Sequence, residues 1–334
     1  MLGLSLRSAA MPSSIADNPI FHNPVAAREW LEKQLWPDGP VCPHCGLVGA
    51  AYKLSGKKQR PGLYRCKGCE EQFTVTVGTI FEGSHIPLNK WVLAFQLMVS
   101  SKKGMSAHQL HRMLGVTYKT AWFLAHRIRH ALDNSPYAVK LGGENKVVEI
   151  DETYVGGKEG NKHKSKRTAG RQGGAGKAAV LALVERDGSV RSEHVANVSS
   201  NTLKPVLNKH IDKRASYLMT DESPVYPPIA GEFSGHGRVN HSAEEYVRAV
   251  FWHTNTAENY FSILKRGIIG VYHHVSEAHL HRYLAKFDFR YNQRISLGIS
   301  DSERMVNATK RVTGKRLTYR RARGAEETEA DIPF

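Results

Sequence analysis

The chain has few cysteines, few acidic residues for its length and no long apolar run. Only 4 of its 334 residues are cysteine, too few for a small secreted scaffold held together by disulfides. No stretch of about 18 apolar residues occurs, so we expect no transmembrane helix. The N-terminal segment places apolar residues before its first charge, Arg7. Because a signal peptide begins with its charge, we expect no secretion.

The shortage of acidic residues leaves the protein strongly basic. There are 47 Lys and Arg against 31 Asp and Glu, which gives a formal net charge of +16. An excess of this size indicates a polyanionic partner, most simply a nucleic acid. The hydrophobic share of 41% and the charged share of 23% are ordinary for a folded protein. The length predicts about two domains.

The cysteines occur as two pairs, Cys42 with Cys45 and Cys66 with Cys69, each separated by two residues. This spacing predicts a tetrahedral zinc site of four thiolates. Each pair carries a glycine where the chain must turn around the metal, and the residues between the pairs are strand-like, as in a zinc ribbon. His44 is an alternative ligand inside the first pair, but four thiolates already complete the shell. We therefore expect a structural Zn²⁺.

Two adjacent helices are predicted after the ribbon. Ser106 is a candidate N-cap of the first helix, and Gly115 ends it before a second helix begins. A helix, a short glycine-containing turn and a second helix have helix-turn-helix spacing. The second helix is expected to expose Lys119, Arg127 and Arg129, which suit phosphates and base edges. The alternative is an ordinary helical hairpin whose charges are only solvated.

Strand-like and helix-like segments alternate from about residue 146. Two strands meet at the turn Asp187-Gly188, and a helix, a further strand and a later helix follow. This order matches the start of an RNase H-like α/β domain, so the expected fold class is α/β. The expected organisation is a disordered tail (1–20), a zinc ribbon with a leading helix (21–86), a helix-turn-helix region (87–135), an RNase H-like catalytic domain (146–295) and a basic C-terminal tail (296–334).

Acidic residues follow two apolar strand-like runs of this domain. Asp151 comes after VVEI, and Asp221 comes after YLMT. Glu258 lies on a later helix, with Lys265 seven positions beyond it and therefore on the same helical face. Three carboxylates can hold two Mg²⁺ or Mn²⁺ ions about 4 Å apart, as in phosphoryl transfer. The pattern predicts such a site.

Structural explanations exist for the same residues. Acidic residues at strand ends often start turns, and Asn255 with Glu258 has the spacing of a capping box. His241 and His253 are candidate neighbours of the acidic site, or residues that only stabilise a loop. The basic segments 158–177 and 304–323 are candidate phosphate contacts, although charge runs are usually solvated surface.

Several long motifs occur in order between residues 20 and 295. They are CPHCG, YRCKGC, EIDETYVGGK, LMTDES, VNHSAEEYV and a run from HTNTAENYF to FDFRYNQR. On these motifs the chain resembles bacterial insertion-sequence transposases of the ISXO-like group, which carry an N-terminal zinc ribbon and a DDE-type catalytic domain. The residues after about 296 lie outside the resemblance.

The resemblance implies a Mg²⁺-dependent transposase that binds the terminal inverted repeats of its element and joins them to target DNA. By motif, Asp151, Asp221 and Glu258 correspond to the acidic triad, and Lys265 to its basic companion. Some relatives are described with Asn as the third member, so Asn255 is kept as an alternative or supporting ligand. A homodimer or higher oligomer on paired ends, and action on DNA in the cytoplasm, are expected.

Two other functions remain open on the sequence alone. A DNA-binding regulator would use the ribbon and helices, and its α/β domain would only assemble. A nuclease or resolvase of the same fold would hydrolyse DNA without joining it to a target.

Overall fold

A computed structural model of the chain describes residues 17–133, 139–157, 160, 163–167, 174, 176–239 and 253–318. His241, most of the expected disordered tail, much of the basic segment 158–177 and residues 319–334 lie outside the described residues. Within the described ranges, no helix is long and apolar enough to cross a membrane.

The N-terminal part begins with a helix followed by a small three-stranded sheet. Helix α1 (Pro24–Leu35) starts as predicted, because Asn23 accepts hydrogen bonds from the first turn and Pro24 needs no donor there. The sheet is antiparallel, in the order β1 (Ala51–Lys53), β2 (Tyr64–Cys66) and β3 (Gln72–Phe73). Its second strand ends on Cys66, so the sheet carries one of the cysteine pairs.

Three helices follow the ribbon: α2 (Leu88–Ser100), α3 (Ala107–Leu114) and α4 (Tyr118–Leu132). The predicted cap is confirmed, since Ser106 and Gln109 form a capping box at the start of α3. Gly115 ends α3 with a positive φ of 59°, a conformation that favours glycine. Trp91, Phe95 and other apolar side chains bury these helices against one another and α1.

The C-terminal residues pack into this same helical core. Helix α8 (Glu277–Asn292) contributes Phe289, and helix α9 (Asp301–Thr309) contributes Met305 and Ala308. The expectation of a basic tail from 296 onward is therefore wrong for residues 301–318. These residues include apolar side chains that are buried against the N-terminal helices, and the basic composition of the segment gave no sign of this burial.

One carbonyl-rich helix end explains several basic residues of this C-terminal segment. Arg311 donates to the carbonyl of Leu132, and Lys315 donates to those of Ala131 and Asp133. Cations there satisfy the last carbonyls of α4 and complement the negative end of its dipole. Arg304 is only 1% exposed, so the expected DNA contact of the segment 304–323 does not hold at its first residue.

The second part of the chain is built on a five-stranded sheet in the order β10-β9-β5-β6-β7. Strand β6 is antiparallel to both of its neighbours, β5 and β7, whereas β9 runs parallel to both β5 and β10. The β6–β7 hairpin turns at Asp187-Gly188, as predicted. The strands are β5 (Lys146–Val155), β6 (Ala178–Glu185), β7 (Val190–Val195), β9 (Ser216–Thr220) and β10 (Gly235–Arg238). A separate short pair joins β4 (Leu141–Gly142) to β8 (Ile211–Asp212).

Helices cover the two faces of the sheet. Helices α5 (Ser200–His210) and α6 (Pro227–Ala230) pack with Val148 and Ile150 on one face. Helix α7 (Asn255–Gly267) and α8 pack on the other, against side chains such as Ala182. Because side chains alternate along a strand, Glu149 and Asp151 point to the α7 face.

Candidate functional site

The four cysteine sulfurs lie together in the ribbon. The Sγ atoms of Cys42 and Cys69 are 3.6 Å apart, as are those of Cys45 and Cys66, and all four lie within 4.8 Å of one another. A disulfide would need about 2 Å. Four thiolates about 2.3 Å from one zinc ion lie roughly 3.7 Å apart, so this geometry fits Zn²⁺ with no further position open.

The ribbon favours a thiolate and is anchored to α1. Backbone N–H groups of Cys69 and Gly68 lower the pKa of the Cys66 thiol to about 6, because they stabilise its anionic form. Tyr64 donates its hydroxyl hydrogen to Glu32 of α1 at 2.9 Å. The cysteine cluster is therefore held on a defined side of the leading helix.

The first two acidic residues lie on neighbouring parallel strands. Strand β5 pairs with β9 up to Glu149 opposite Met219, and the same offset continued by two residues puts Asp221 level with Asp151. Asp221 follows β9 as predicted. The expectation that the strand ends before Asp151 is wrong, because the antiparallel ladder to β6 carries β5 on to Val155.

Glu258 lies in the first turns of α7, on the face of the sheet that also carries Asp151. The predicted capping box of Asn255 and Glu258 is wrong. The N-cap is Thr254, which makes no side-chain capping bond, and Asn255 is already the first helical residue. A structural cap therefore does not account for Glu258.

The acidic side chains influence one another electrostatically. Burial, followed by the negative charge of Glu152, raises the pKa of Asp151 to about 7, and the charges of Asp221 and Glu258 act in the same direction. An N–H from Glu152, 2.8 Å from Asp151 Oδ1, opposes this shift. Among the described residues, only the cysteines form a group of three or more potential ligands within 4.8 Å. The carboxylates thus affect the pKa of Asp151, but they lie farther from one another than the four cysteine sulfurs do.

Lys265 is exposed in the last turn of α7, two turns beyond Glu258. With Lys103, Arg266 and Ile269 it lines an open groove of about 390 Å³. Lys103 belongs to the segment between α2 and α3, so the groove lies between the helical part and α7. Its cationic rim suits a phosphodiester backbone.

Glu149, a carboxylate that is 0% exposed and lies two residues before Asp151, was not predicted as part of the site. It accepts hydrogen bonds from Thr256 and from Arg186 of the β6–β7 turn. His253, expected near the acidic site, lies with its Nδ1 atom 3.3 Å from Glu149 Oε1. The available signal was a charged residue inside the apolar run VVEI.

The candidate DNA-contacting residues of α4 separate into two groups. Lys119 is exposed at the start of the helix, as expected. The expected exposure of Arg127 and Arg129 is wrong, since they are 6% and 2% exposed. Arg127 donates to the carbonyl of Glu82, and the Arg129 guanidinium lies 4.0 Å from the ring centroid of Tyr283 in α8. Both arginines hold the helical part together.

Comparisons with known proteins agree with this division of the chain. Residues 23–72 match the transposase zinc-ribbon domain, and residues 140–292 match the ISXO2-like transposase domain. A protein of Halobacterium salinarum, described as an uncharacterized protein in transposable element ISH50, is 30% identical. That similarity covers 79% of this chain and 89% of the relative.

One solved structure is also similar: a cryoEM structure of a simian T-cell lymphotropic virus intasome in complex with PP2A regulatory subunit B56 gamma. The matched chain is 16% identical, and the similarity covers 57% of this chain and 66% of the matched chain. Its TM-score of 0.26 carries no weight for fold or function. The ribbon, the matched domain and the transposable-element relative agree with the resemblance seen in the sequence motifs. The chain belongs to the family of transposases that join a transposase zinc ribbon to an ISXO2-like transposase domain.

Proposed function

We propose that the protein is a DDE transposase that binds the terminal inverted repeats of an insertion sequence and catalyses Mg²⁺-dependent cleavage and strand transfer. The observation that carries this proposal is the electrostatic contact of Asp151 with Asp221 and Glu258 inside the transposase domain. Asp151 accepts an N–H of Glu152 at 2.8 Å and Asp221 accepts an N–H of Ser223 at 3.0 Å, so the local backbone orients both carboxylates.

The topology of the sheet supports the proposal that this domain has an RNase H-like fold. Three antiparallel strands (β5, β6 and β7) lead through α5 to β9, which pairs in parallel with β5 and β10. Asp151 lies on the central strand β5, Asp221 directly follows the parallel neighbour β9, and α7, which carries Glu258, packs on the face of the sheet that carries Asp151. Ligands from several elements then converge at one edge, as an active site of this kind requires.

The donor set fits hard divalent cations. Carboxylate oxygens are the ligands that Mg²⁺ and Mn²⁺ prefer. Burial, and after it the negative charges of Glu152, Asp221 and Glu258, raise the pKa of Asp151, and a bound cation would offset those charges. Asp151, Asp221 and Glu258 would hold the ions, with Asn255 as the alternative third ligand. When bound, the ions would supply charge stabilisation for the attacking and leaving oxygens.

The reaction is an in-line displacement at phosphorus. In cleavage, a water oxygen forms a bond to phosphorus while the bond to the 3′ oxygen breaks, which leaves a 3′ hydroxyl and a 5′ phosphate. In joining, that 3′ hydroxyl attacks a target phosphodiester and displaces its 3′ oxygen. Lys265 and its groove would hold a backbone phosphate near these atoms, so that the strand lies in line for attack.

Binding of the DNA ends is assigned to the N-terminal part. The exposed start of α4, with Lys119, has the position of a recognition helix in a helix-turn-helix. The zinc ribbon would contribute further backbone contacts. Since two ends must be paired, we propose that a homodimer or higher oligomer performs the reaction.

The direct test is a cleavage and joining assay with the flanking terminal DNA and Mg²⁺, with products mapped at nucleotide resolution. Asp151→Asn, Asp221→Asn and Glu258→Gln should each lose cleavage and joining while binding the ends like wild type. Cleavage without joining would favour a nuclease, and wild-type joining by Asp221→Asn would overturn the metal-site assignment.

A further inference from the structure

The buried carboxylate of Glu149 connects the strand of Asp151 to the helix of Glu258. Glu149 is 0% exposed and lies two positions before Asp151 on β5. Alternation along the strand puts both side chains on the face that α7 covers. An isolated carboxylate in such a place would be costly, so its contacts must compensate for lost hydration.

Within the described residues, both carboxylate oxygens of Glu149 accept hydrogen bonds. Its Oε1 accepts from Arg186 Nε at 2.7 Å and from Thr256 Oγ1 at 2.9 Å. Its Oε2 accepts from the backbone N–H groups of Thr256 at 2.8 Å and of Ala257 at 3.0 Å. Arg186 also donates to the carbonyl of His253, so the turn after β6 supports the same network.

These contacts make Glu149 the cap of α7, supplied from another element. The first turn of any helix has N–H groups without partners inside the helix. In α7 the side chain of the N-cap residue, Thr254, makes no capping hydrogen bond. Glu149 accepts from the second and third helical residues and places negative charge at the positive end of the helix dipole. The start of α7 is therefore fixed to β5.

We infer that Glu149 is a positioning residue that sets Glu258 relative to Asp151 for binding of a divalent cation. Glu258 directly follows Ala257, whose N–H donates to Glu149. The Glu149 carboxylate therefore fixes the distance between Asp151 and Glu258, two candidate ligands that are 107 positions apart in the chain. The inference rests on the proposed function, because it takes Asp151 and Glu258 as ligands. Glu149 itself does not contact the cation.

Glutamine cannot replace this carboxylate. Its amide carries two N–H donors where Glu149 has an acceptor oxygen. Of the four groups facing that side chain, three are N–H groups that can only donate, and only the Thr256 hydroxyl could accept. Glu149→Gln must therefore leave donors unsatisfied and loosen the start of α7. Replacing groups that orient metal ligands typically costs about 10- to 100-fold in metal affinity.

The experiment measures Mn²⁺ binding to the full-length, zinc-loaded protein by electron paramagnetic resonance of the free ion. Asp151→Asn identifies the signal that belongs to the acidic site. In Glu149→Gln we expect that site to bind Mn²⁺ about 10- to 100-fold more weakly, with unchanged affinity for end DNA. The Mn²⁺ concentration that gives half-maximal cleavage should rise by the same factor.

Asp288→Asn is the matched control. Asp288 is also a buried carboxylate that holds α7, since it accepts from the Tyr260 hydroxyl at 2.6 Å, but it contacts the middle of the helix. The Mn²⁺ affinity of Asp288→Asn should stay within about twofold of wild type, because Asp288 bonds to Ser192 and Tyr260 and not to the first turn of α7 or to a candidate ligand. If Glu149→Gln fails to fold, Thr256→Val replaces it. That change removes one donor and should weaken Mn²⁺ binding severalfold.

The possible failures differ from one another. Wild-type Mn²⁺ affinity in folded Glu149→Gln, or in Thr256→Val if Glu149→Gln does not fold, would overturn this inference and leave the proposed function standing. An equal loss in Asp288→Asn would also overturn it, since the effect would then be a general consequence of loosening α7. Mn²⁺ binding that survives Asp151→Asn would overturn the proposed function together with the inference.

Discussion

The zinc ribbon and the acidic site are built in opposite ways. The ribbon takes its ligands from two short segments, and its four sulfurs lie within 4.8 Å of one another. The proposed acidic site takes Asp151, Asp221 and Glu258 from a strand, the end of its neighbour and a helix, and burial together with like charges raises the pKa of Asp151. A local ligand set can be recognised in the sequence by spacing, whereas a distributed set depends on the whole sheet and on the groups that hold α7.

The largest expected effect concerns the ribbon. Cys66→Ser removes a ligand whose thiolate is favoured by backbone N–H groups, and zinc binding to such sites contributes about 10 kcal/mol or more to local folding. We expect zinc to fall well below one ion per chain, the ribbon to unfold and end binding to weaken. Elemental analysis and proteolysis between 23 and 72 measure this. Full zinc occupancy in Cys66→Ser would show that the four-thiolate assignment is incorrect.

The next effect separates Lys265 from ordinary surface charge. Lys265→Ala should keep its fold and Mn²⁺ binding but lose roughly 10²-fold in cleavage rate, as expected for a lost positioning contact. Lys265→Arg should recover part of the rate and Lys265→Glu none. The control is Lys209→Ala, an exposed lysine of α5 outside the groove that pairs with Glu193 at 3.2 Å, and it should keep the wild-type rate. Equal rates for Lys265→Ala and wild type would remove Lys265 from the site.

The pH dependence follows from the raised pKa of Asp151. In the metal-free protein the pKa of Asp151 is about 7, above its ordinary value of 3.8. Protonated Asp151 therefore contributes to the stability of the fold. That contribution is complete below pH 3.8 and is lost as the pH rises through 7. A cation must displace the proton below about pH 7, where its affinity should fall about tenfold per pH unit. The rise of the melting temperature on adding Mg²⁺ should therefore be larger at about pH 8 than at about pH 6. Asp151→Asn should abolish this difference.

The smallest effect concerns the start of α4. Lys119→Ala should weaken binding to all DNA sequences and reduce the slope of log affinity against log salt by about one. Lys204→Ala is the control, because Lys204 lies on α5 and pairs with Glu232 at 2.6 Å. Binding titrations over a range of salt concentrations measure both variants. An unchanged slope in Lys119→Ala would place DNA on another surface.

Local chemistry was predictable from the sequence. The cysteine pairs, the Ser106 cap, the Gly115 helix end and the Asp187-Gly188 turn each depend on a few adjacent residues, and the structure places them as expected. The succession of three strands, a helix, a further strand and a later helix along the chain, and the position of Asp221 after a strand, also followed from apolar runs and turn signals.

Tertiary burial was not predictable in the same way. Arg129 and Arg304 look like phosphate contacts by charge, but an aromatic ring and main-chain carbonyls accommodate them in the interior. From its charge alone Glu149 would be expected on the surface, but α7 packs over it and donates hydrogen bonds to it. Spacing along the chain gives no information on partners more than 100 positions away, which is why the cap of α7 was missed.

The central claim, that this chain carries two independent metal centres, is tested most directly by measuring both metals in two variants. Zinc content and Mn²⁺ binding are determined on the same preparations of Cys66→Ser and Asp151→Asn. The account predicts that Cys66→Ser loses zinc and keeps Mn²⁺ binding, whereas Asp151→Asn keeps zinc and loses Mn²⁺ binding. Loss of Mn²⁺ binding in folded Cys66→Ser, or its persistence in Asp151→Asn, would contradict the account.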